Sequence, residues 1–232
     1  MMAGSSTHTE SGSVGLPRAR FAIVLLLLLG LLFWLIGPGT HVGGRFTLEL
    51  TGGAVLLIAV TAATADKRHR RRALTFGILA TVLNGTTMFG FRPLGLEFGP
   101  IMSVLFAGYT TLLLLGGVMR SRRVTGDVLA GALAAYIMAG LTFAVIYGLI
   151  EVAAPGAFNL ASGATASFPD LVYFSFVTLL TIGFGDVTPA LPLVRAVTVF
   201  EGLFGVVYTT MVMAALVAAY LQHRGQQEPP GA

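Results

Sequence analysis

The sequence predicts an all-α integral membrane protein with six transmembrane helices and one shorter, re-entrant helix. Hydrophobic residues make up 55% of the 232 residues and charged residues only 10%, which is too apolar for a soluble domain of this length. Six apolar stretches approach the roughly 20 residues that a helix needs to cross a bilayer, and charged or Gly/Pro-rich segments separate them. A seventh apolar stretch, Leu171–Leu180, is too short to cross and is predicted to re-enter.

The positions of the basic residues predict how these segments are oriented. The six predicted spans are Phe21–Ile36, Phe46–Thr64, Leu74–Phe89, Gly99–Met119, Val128–Ile150 and Val194–Tyr220. If the amino terminus is cytoplasmic, eleven of the fourteen Lys and Arg residues lie on the cytoplasmic side, where positive charge is enriched in membrane proteins. Both termini are therefore predicted to be cytoplasmic, and the small, polar or Pro-rich segments 1–17 and 223–232 to be disordered.

The segment between the fifth and sixth spans predicts a short helix followed by irregular backbone. Pro169 suits the first turn of a helix, and Asp170 beside it favours the positive end of the helix dipole. The helix is predicted to stop near Leu180, because Gly183 and Gly185 tolerate backbone angles that other residues avoid. Irregular backbone at membrane depth is tolerated where it lines a water-filled path or is buried in protein.

Residues 178–186 have the sequence TLLTIGFGD, which fits the pattern T-x-x-T-x-G-(Y/F)-G-D at every defined position and resembles the pore region of potassium channels. The resemblance implies a tetrameric ion channel pore whose selectivity filter comprises Thr181, Ile182, Gly183, Phe184 and Gly185. It implies that the carbonyl oxygens of Thr181 to Phe184, with the Thr181 hydroxyl, coordinate K+. Thr178 and Asp186 would support the filter, and no cofactor is expected besides the permeant ion.

Two positions depart from the commoner pattern of this family. Phe184 stands where tyrosine is more frequent, so it lacks a hydroxyl that could bond to the pore helix. Val177 stands where several members carry a glutamate that steadies the aspartate after the filter. Asp186 is therefore expected to find another partner or to face water.

Two residues of the sixth span are candidate gating residues. Glu201 interrupts the apolar span four residues before Gly205, on roughly the same helical face. Glu201 is either a buried carboxylate that tunes gating or proton sensitivity, or a hydrogen-bonded contact between helices. Gly205 is either a gating hinge or a small residue that permits close packing.

The other charged residues suggest no voltage sensor. Residues 99–119, the fourth span, contain no Lys, Arg, Asp or Glu, whereas a steep sensor needs several charges in the membrane field. The basic run of Lys67, Arg68, Arg70, Arg71 and Arg72 is explained as a topological anchor, and binding of anionic lipid head groups is a second interpretation.

The sequence therefore predicts a passive potassium channel in which four identical chains close one ring of oxygen atoms. Residues 18–123 are predicted to form a four-helix peripheral domain and residues 124–222 the pore domain. A poorly selective cation channel and a potassium transporter subunit remain alternatives. No catalytic motif or nucleic-acid-binding pattern is found, so an enzyme is not predicted. The small size and the richness in Ala, Leu and Gly suggest a prokaryotic plasma membrane.

Overall fold

The computed structural model describes residues 20–36, 44–63, 66–88, 98–120 and 125–225. These residues form seven helices and two short strands. In chain order the elements are α1 (Arg20–Ile36), α2 (Gly44–Ala63), α3 (Lys67–Met88), α4 (Phe98–Met119), α5 (Gly126–Ala153), β1 (Phe158–Leu160), α6 (Phe168–Leu179), β2 (Val187–Pro189) and α7 (Pro192–Gly225).

A helix lies at each of the six predicted spans, and the helices at the third and sixth spans extend furthest beyond the apolar stretches. The third begins at Lys67 rather than Leu74, because Lys and Arg are good helix formers and the Asp66 carboxylate accepts the Arg68 N–H at 2.8 Å. The last continues to Gly225, three residues into the segment predicted to be disordered, because extending an existing helix needs little added stabilisation. Residues 1–17 and 226–232 lie outside the described residues.

Three of the described helices have the length and apolar composition needed to cross a membrane. They are residues Phe98–Met119, Gly126–Ala153 and Pro192–Ala215. Shorter apolar helical stretches cover Phe21–Ile36, Gly52–Thr61 and Phe168–Leu179. The last of these is the segment predicted to re-enter, and its 12-residue helix is too short to cross the hydrocarbon core, which takes roughly 20 residues.

Helix α5 is the central element, since it packs against α1, α4, α6 and α7. Leu28 of α1, Met138 of α5 and Val172 of α6 are fully buried in one apolar cluster. Helices α5 and α6 approach closely at Gly140, where an added Cβ would lie 2.8 Å from the ring of Phe176. The short helix is therefore held within the bundle of its own chain.

A second apolar cluster lies on the side of the two strands. The rings of Tyr147, Phe158 and Phe174 meet edge to face, with centroids 5.3–5.4 Å apart. Strands β1 and β2 pair antiparallel, with Leu160 opposite Val187. This pairing fixes the chain on both sides of α6 and the turn that follows it.

Candidate functional site

The start of α6 is fixed by a capping box. Ser167 is the N-cap residue, and the Asp170 carboxylate accepts the Ser167 N–H at 2.8 Å and its hydroxyl at 2.5 Å. Pro169 lies in the first turn, where a missing N–H costs nothing. The local sequence therefore sets the helix start at Phe168, one residue before the predicted start at Pro169.

The end of α6 is a Schellman motif that places Thr181 at its left-handed position. The Thr181 N–H donates to the Thr178 carbonyl and the Ile182 N–H to the Val177 carbonyl, both at 2.9 Å. Thr181 has a φ of 58°, an angle that a β-branched residue seldom adopts. Thr178, predicted as filter support, thus contributes a backbone carbonyl to the turn that begins the Thr-Ile-Gly-Phe-Gly segment.

Left-handed backbone recurs at every second residue of this segment. Thr181, Gly183 and Gly185 have φ angles of 58°, 62° and 80°. The two residues between them, Ile182 and Phe184, have side chains that are 49% and 68% exposed in the single chain. Alternating hand along a backbone can turn successive carbonyl groups to one side, and rings of backbone carbonyl oxygens can replace the water shell of a cation.

Asp186, directly after this segment, is held by the strands and lies beside α6. The Asp186 carboxylate accepts the N–H of Val187 in β2 at 3.1 Å, and the Tyr173 side chain of α6 lines the same cavity as Asp186. The Asp186 carbonyl also accepts the Ala161 N–H at 3.0 Å. Sequence reasoning missed Tyr173, although it lies four residues before Val177 and thus on the same helical face as the position where a partner was sought.

Glu201 of α7 is completely buried against α5 and α6. One carboxylate oxygen lies 2.6 Å from the Tyr147 hydroxyl and the other 2.5 Å from the Ser175 hydroxyl. Sequence reasoning singled out Glu201 but not these two partners. The sequence did indicate that they need partners, because Tyr147 and Ser175 are polar residues within apolar helices and buried polar groups are usually hydrogen-bonded.

Gly205 of α7 lies against the carboxyl end of α6. An added Cβ at Gly205 would collide with the Leu179 carbonyl oxygen. The same carbonyl accepts the Tyr136 hydroxyl at 2.8 Å. The Glu201 and Gly205 contacts are one helical turn apart on α7, as Ser175 and Leu179 are on α6.

The basic run lies apart from this site, at the start of α3. Lys67, Arg68, Arg70, Arg71 and Leu74 line a shallow cavity there, and Arg72 is exposed. Among the described residues, no group of three or more His, Asp or Glu side chains is placed to hold a metal ion. The structure therefore brings all the predicted filter, support and gating residues around α6, and leaves the basic run elsewhere.

Comparison with known proteins links this site to a family. Residues 132–222 match the family model described as Ion channel. Over 89 residues the chain is 35% identical to two pore potassium channel c of Oryza sativa subsp. japonica, a match that covers 38% of this chain and 18% of the rice protein. The chain thus spans less than a fifth of that relative's length.

Two bacterial proteins match over a longer part of the chain. Over 129 residues the chain is 29% identical to Protein LctB of Geobacillus stearothermophilus and 30% identical to Protein LctB of Bacillus caldotenax. Each match covers 50% of this chain and 96% of the LctB protein. No solved structure matches the chain.

Proposed function

This chain belongs to the ion channel family, and we propose that it forms a passive, potassium-selective channel across a prokaryotic plasma membrane. Membership of that family makes it a membrane channel protein rather than an enzyme. The observation that carries the proposal is the left-handed backbone at Thr181, Gly183 and Gly185, directly after a helix too short to cross the membrane. Ions would flow down their electrochemical gradient, with no cofactor.

Potassium is proposed as the permeant ion because of what the alternating backbone offers. The carbonyl oxygens of Thr181, Ile182, Gly183 and Phe184, together with the Thr181 hydroxyl, would replace the water shell of the ion. The carboxyl end of α6 adds its partial negative charge below the filter. Gly185 ends the filter, and Asp186, which accepts the Val187 N–H and lines a cavity with Tyr173, would hold its outer end.

A homotetramer is proposed because one chain supplies only one side of such an ion path. In the single chain Phe184 is 68% exposed, and α7 presents an exposed apolar face that includes Val199, Phe200 and Leu203. Neighbouring copies around an axis would cover these side chains. Native mass spectrometry should give a mass of four chains, and a stable monomer would contradict this assembly.

Six membrane crossings with both termini in the cytoplasm are proposed for each chain. The helices at all six predicted spans and the basic residues around them support this topology. The chain has no cysteine, so single cysteines introduced near either terminus can be labelled selectively. Both should react with a membrane-impermeant reagent in inside-out vesicles only, and labelling of either from the outside would contradict the topology.

Anionic lipid is proposed as the ligand of the basic run on α3. The cavity lined by Lys67, Arg68, Arg70 and Arg71 clusters four cationic side chains that can attract phosphate groups at the cytoplasmic surface. Replacing these four residues and Arg72 with Gln should weaken binding to phosphatidylglycerol liposomes relative to phosphatidylcholine liposomes. Equal binding of wild type and variant would leave the run as a topological anchor only.

Potassium flux in liposomes tests the proposed function. Purified protein in liposomes with a potassium gradient should conduct, and Gly183→Asp should abolish the flux, because it puts a charged side chain on left-handed backbone in the ion path. Gly163→Asp is the matched control: Gly163 is also left-handed, at 72°, but lies in the loop between β1 and α6. Unchanged flux in Gly183→Asp would count against the filter.

The same preparation separates the two alternatives. A poorly selective cation channel would carry sodium as readily as potassium. A transporter subunit would need a coupling ion, so its flux would change when sodium or the proton gradient is removed. The proposed channel is insensitive to both.

A further inference from the structure

We propose that Glu201 is a proton-binding site whose neutral carboxyl group joins the inner helix α7 to the pore helix α6 by donating its proton to Ser175. The buried cluster of Glu201, Ser175, Tyr147 and the Gly140 carbonyl has one hydrogen atom too few for its short contacts if Glu201 is ionised. This shortage is the same whichever ion the protein conducts.

The Ser175 hydroxyl lies between two oxygen atoms and cannot donate a hydrogen bond to both at the same time. Its Oγ is 2.8 Å from the Gly140 carbonyl oxygen and 2.5 Å from Glu201 Oε1. A serine hydroxyl has one proton to donate, and both neighbours are acceptors if Glu201 is ionised. One of the two short contacts would then bring together two oxygen atoms with no proton between them.

A proton on Glu201 Oε1 resolves this conflict. The carboxyl O–H donates to Ser175 Oγ, and the Ser175 hydroxyl donates in turn to the Gly140 carbonyl. The Tyr147 hydroxyl donates to the remaining carboxyl oxygen, Oε2, at 2.6 Å. Every polar atom of the cluster then has a partner, in a chain of hydrogen bonds that crosses three helices.

The surroundings of the cluster offer no positive charge to stabilise an ionised carboxylate. Glu201 is 0% exposed, and among the residues that the structure describes no Lys, Arg or His forms an ion pair with it. An isolated charge in such a place is costly, and carboxyl groups there become neutral. Thr198, the other polar side chain in contact with Tyr147, donates its own hydroxyl proton to the Val194 carbonyl.

Among the side chains that the structure describes, the other charged and titratable groups on the helices around the cluster are engaged elsewhere or carry no positive charge. Arg195 of α7 donates to the Pro189 carbonyl at 3.2 Å, and Glu151 of α5 accepts the N–H groups of Gly156 and Ala157. The remaining described groups that have hydrogen-bond partners are Asp127 with Phe21, Tyr136 with Leu179, Asp170 with Ser167 and Tyr208 with Ala132, and Tyr173 lines a cavity beside Asp186.

The infrared spectrum of the purified full-length protein tests the proton directly. In a detergent without carbonyl groups, the wild type at neutral pH should show the C=O stretch of a protonated carboxyl group, at a higher frequency than any carboxylate band. Glu201→Gln should lose that band, and Glu151→Gln, the matched control, should keep it. The same spectrum in wild type and Glu201→Gln would overturn the proposal.

A second variant tests the direction of the hydrogen bonds and covers a failure of Glu201→Gln to fold. In the proposed arrangement Oε2 is the carbonyl oxygen and accepts from Tyr147. Tyr147→Phe removes that donor and should shift the protonated-carboxyl band to higher frequency. A band that does not move would contradict the arrangement.

The consequence for the protein is a contact between α7 and α6 that depends on pH. Raising the pH until the band disappears should lower the thermal midpoint of the wild type more than that of Glu201→Gln, whose amide reproduces the neutral hydrogen-bonding pattern. An equal decrease of the thermal midpoint in wild type and Glu201→Gln would show that the contact does not depend on pH and would overturn this consequence. Potassium flux of the same samples tests the proposed function separately, so a failure of one is distinguishable from a failure of the other.

Discussion

Thr181 lies where helix α6 ends and the glycine-spaced segment begins, and it has two roles at that position. Its left-handed backbone completes the Schellman turn, as a glycine usually does, at a cost of about 1–2 kcal/mol for a residue with a side chain. Its hydroxyl is the only one in the Thr-Ile-Gly-Phe-Gly segment. A threonine at this position is understandable if the proposed ion path uses that hydroxyl, because glycine would end the helix with less strain.

The pattern of residues 178–186 allowed the candidate filter to be predicted from sequence, whereas the partners of Asp186 and Glu201 were not predicted. Helix caps and the backbone angles of glycine depend on residues a few positions apart, so they can be predicted from the sequence of one short segment. Tyr147 lies 54 positions before Glu201. Only the packing of α5, α6 and α7 brings these two side chains together, and a single sequence does not specify that packing.

Tyr173→Phe tests whether the Tyr173 hydroxyl, in the cavity that it shares with Asp186, supports the outer end of the proposed filter. The change removes only the hydroxyl, so we expect shorter conducting episodes at low external potassium, with the tetramer intact. Single-channel recording in planar bilayers measures this effect. Tyr109→Phe is the control, because it removes a hydroxyl that contacts His69, far along the chain from the filter.

An unchanged duration of conducting episodes in Tyr173→Phe would contradict this role for the Tyr173 hydroxyl. Equal shortening in both variants would do so as well, since it would indicate a general loss of stability.

Among the secondary-structure elements, α6 is a helix whose length alone excludes a full membrane crossing. Its 12 residues give a helix of about 18 Å, less than the hydrocarbon core of a bilayer. The prediction of a short helix was confirmed, with its start one residue before Pro169. Strands β1 and β2 were missed because three-residue strands lack a detectable alternation, and their pairing is a tertiary contact.

Gly205→Ala tests the close approach between α7 and α6. The added Cβ would meet the Leu179 carbonyl, a backbone atom that cannot move without disturbing the end of α6. We expect destabilisation of about 1–3 kcal/mol, as for other overpacked sites, seen as a lower thermal midpoint. Gly202→Ala is the control, since nothing lies within 4 Å of a Cβ added there.

This comparison also separates the two interpretations of Gly205. A residue that permits close packing loses stability when it is replaced by alanine, whereas a hinge loses conduction at unchanged stability. An unchanged thermal midpoint in Gly205→Ala would contradict the packing interpretation, which the short approach to Leu179 favours.

In the molecule as a whole, α5 joins the first four helices to the site. It packs against α1 and α4, and its Asp127 accepts the N–H groups of Phe21 and Ala22 at the start of α1. Helix α4 contains no charged residue, so it lacks the gating charges that make opening steeply voltage-dependent. The division into a peripheral domain over 18–123 and a pore domain over 124–222 stays a prediction.

The most direct test of the account is the reversal potential of the purified protein in a planar bilayer with potassium on one side and an equal concentration of sodium on the other. Coordination by the carbonyl oxygens of Thr181 to Phe184 predicts a large reversal potential of the sign set by potassium permeation. A reversal potential near zero would mean that both ions pass equally and would contradict potassium selectivity at this filter.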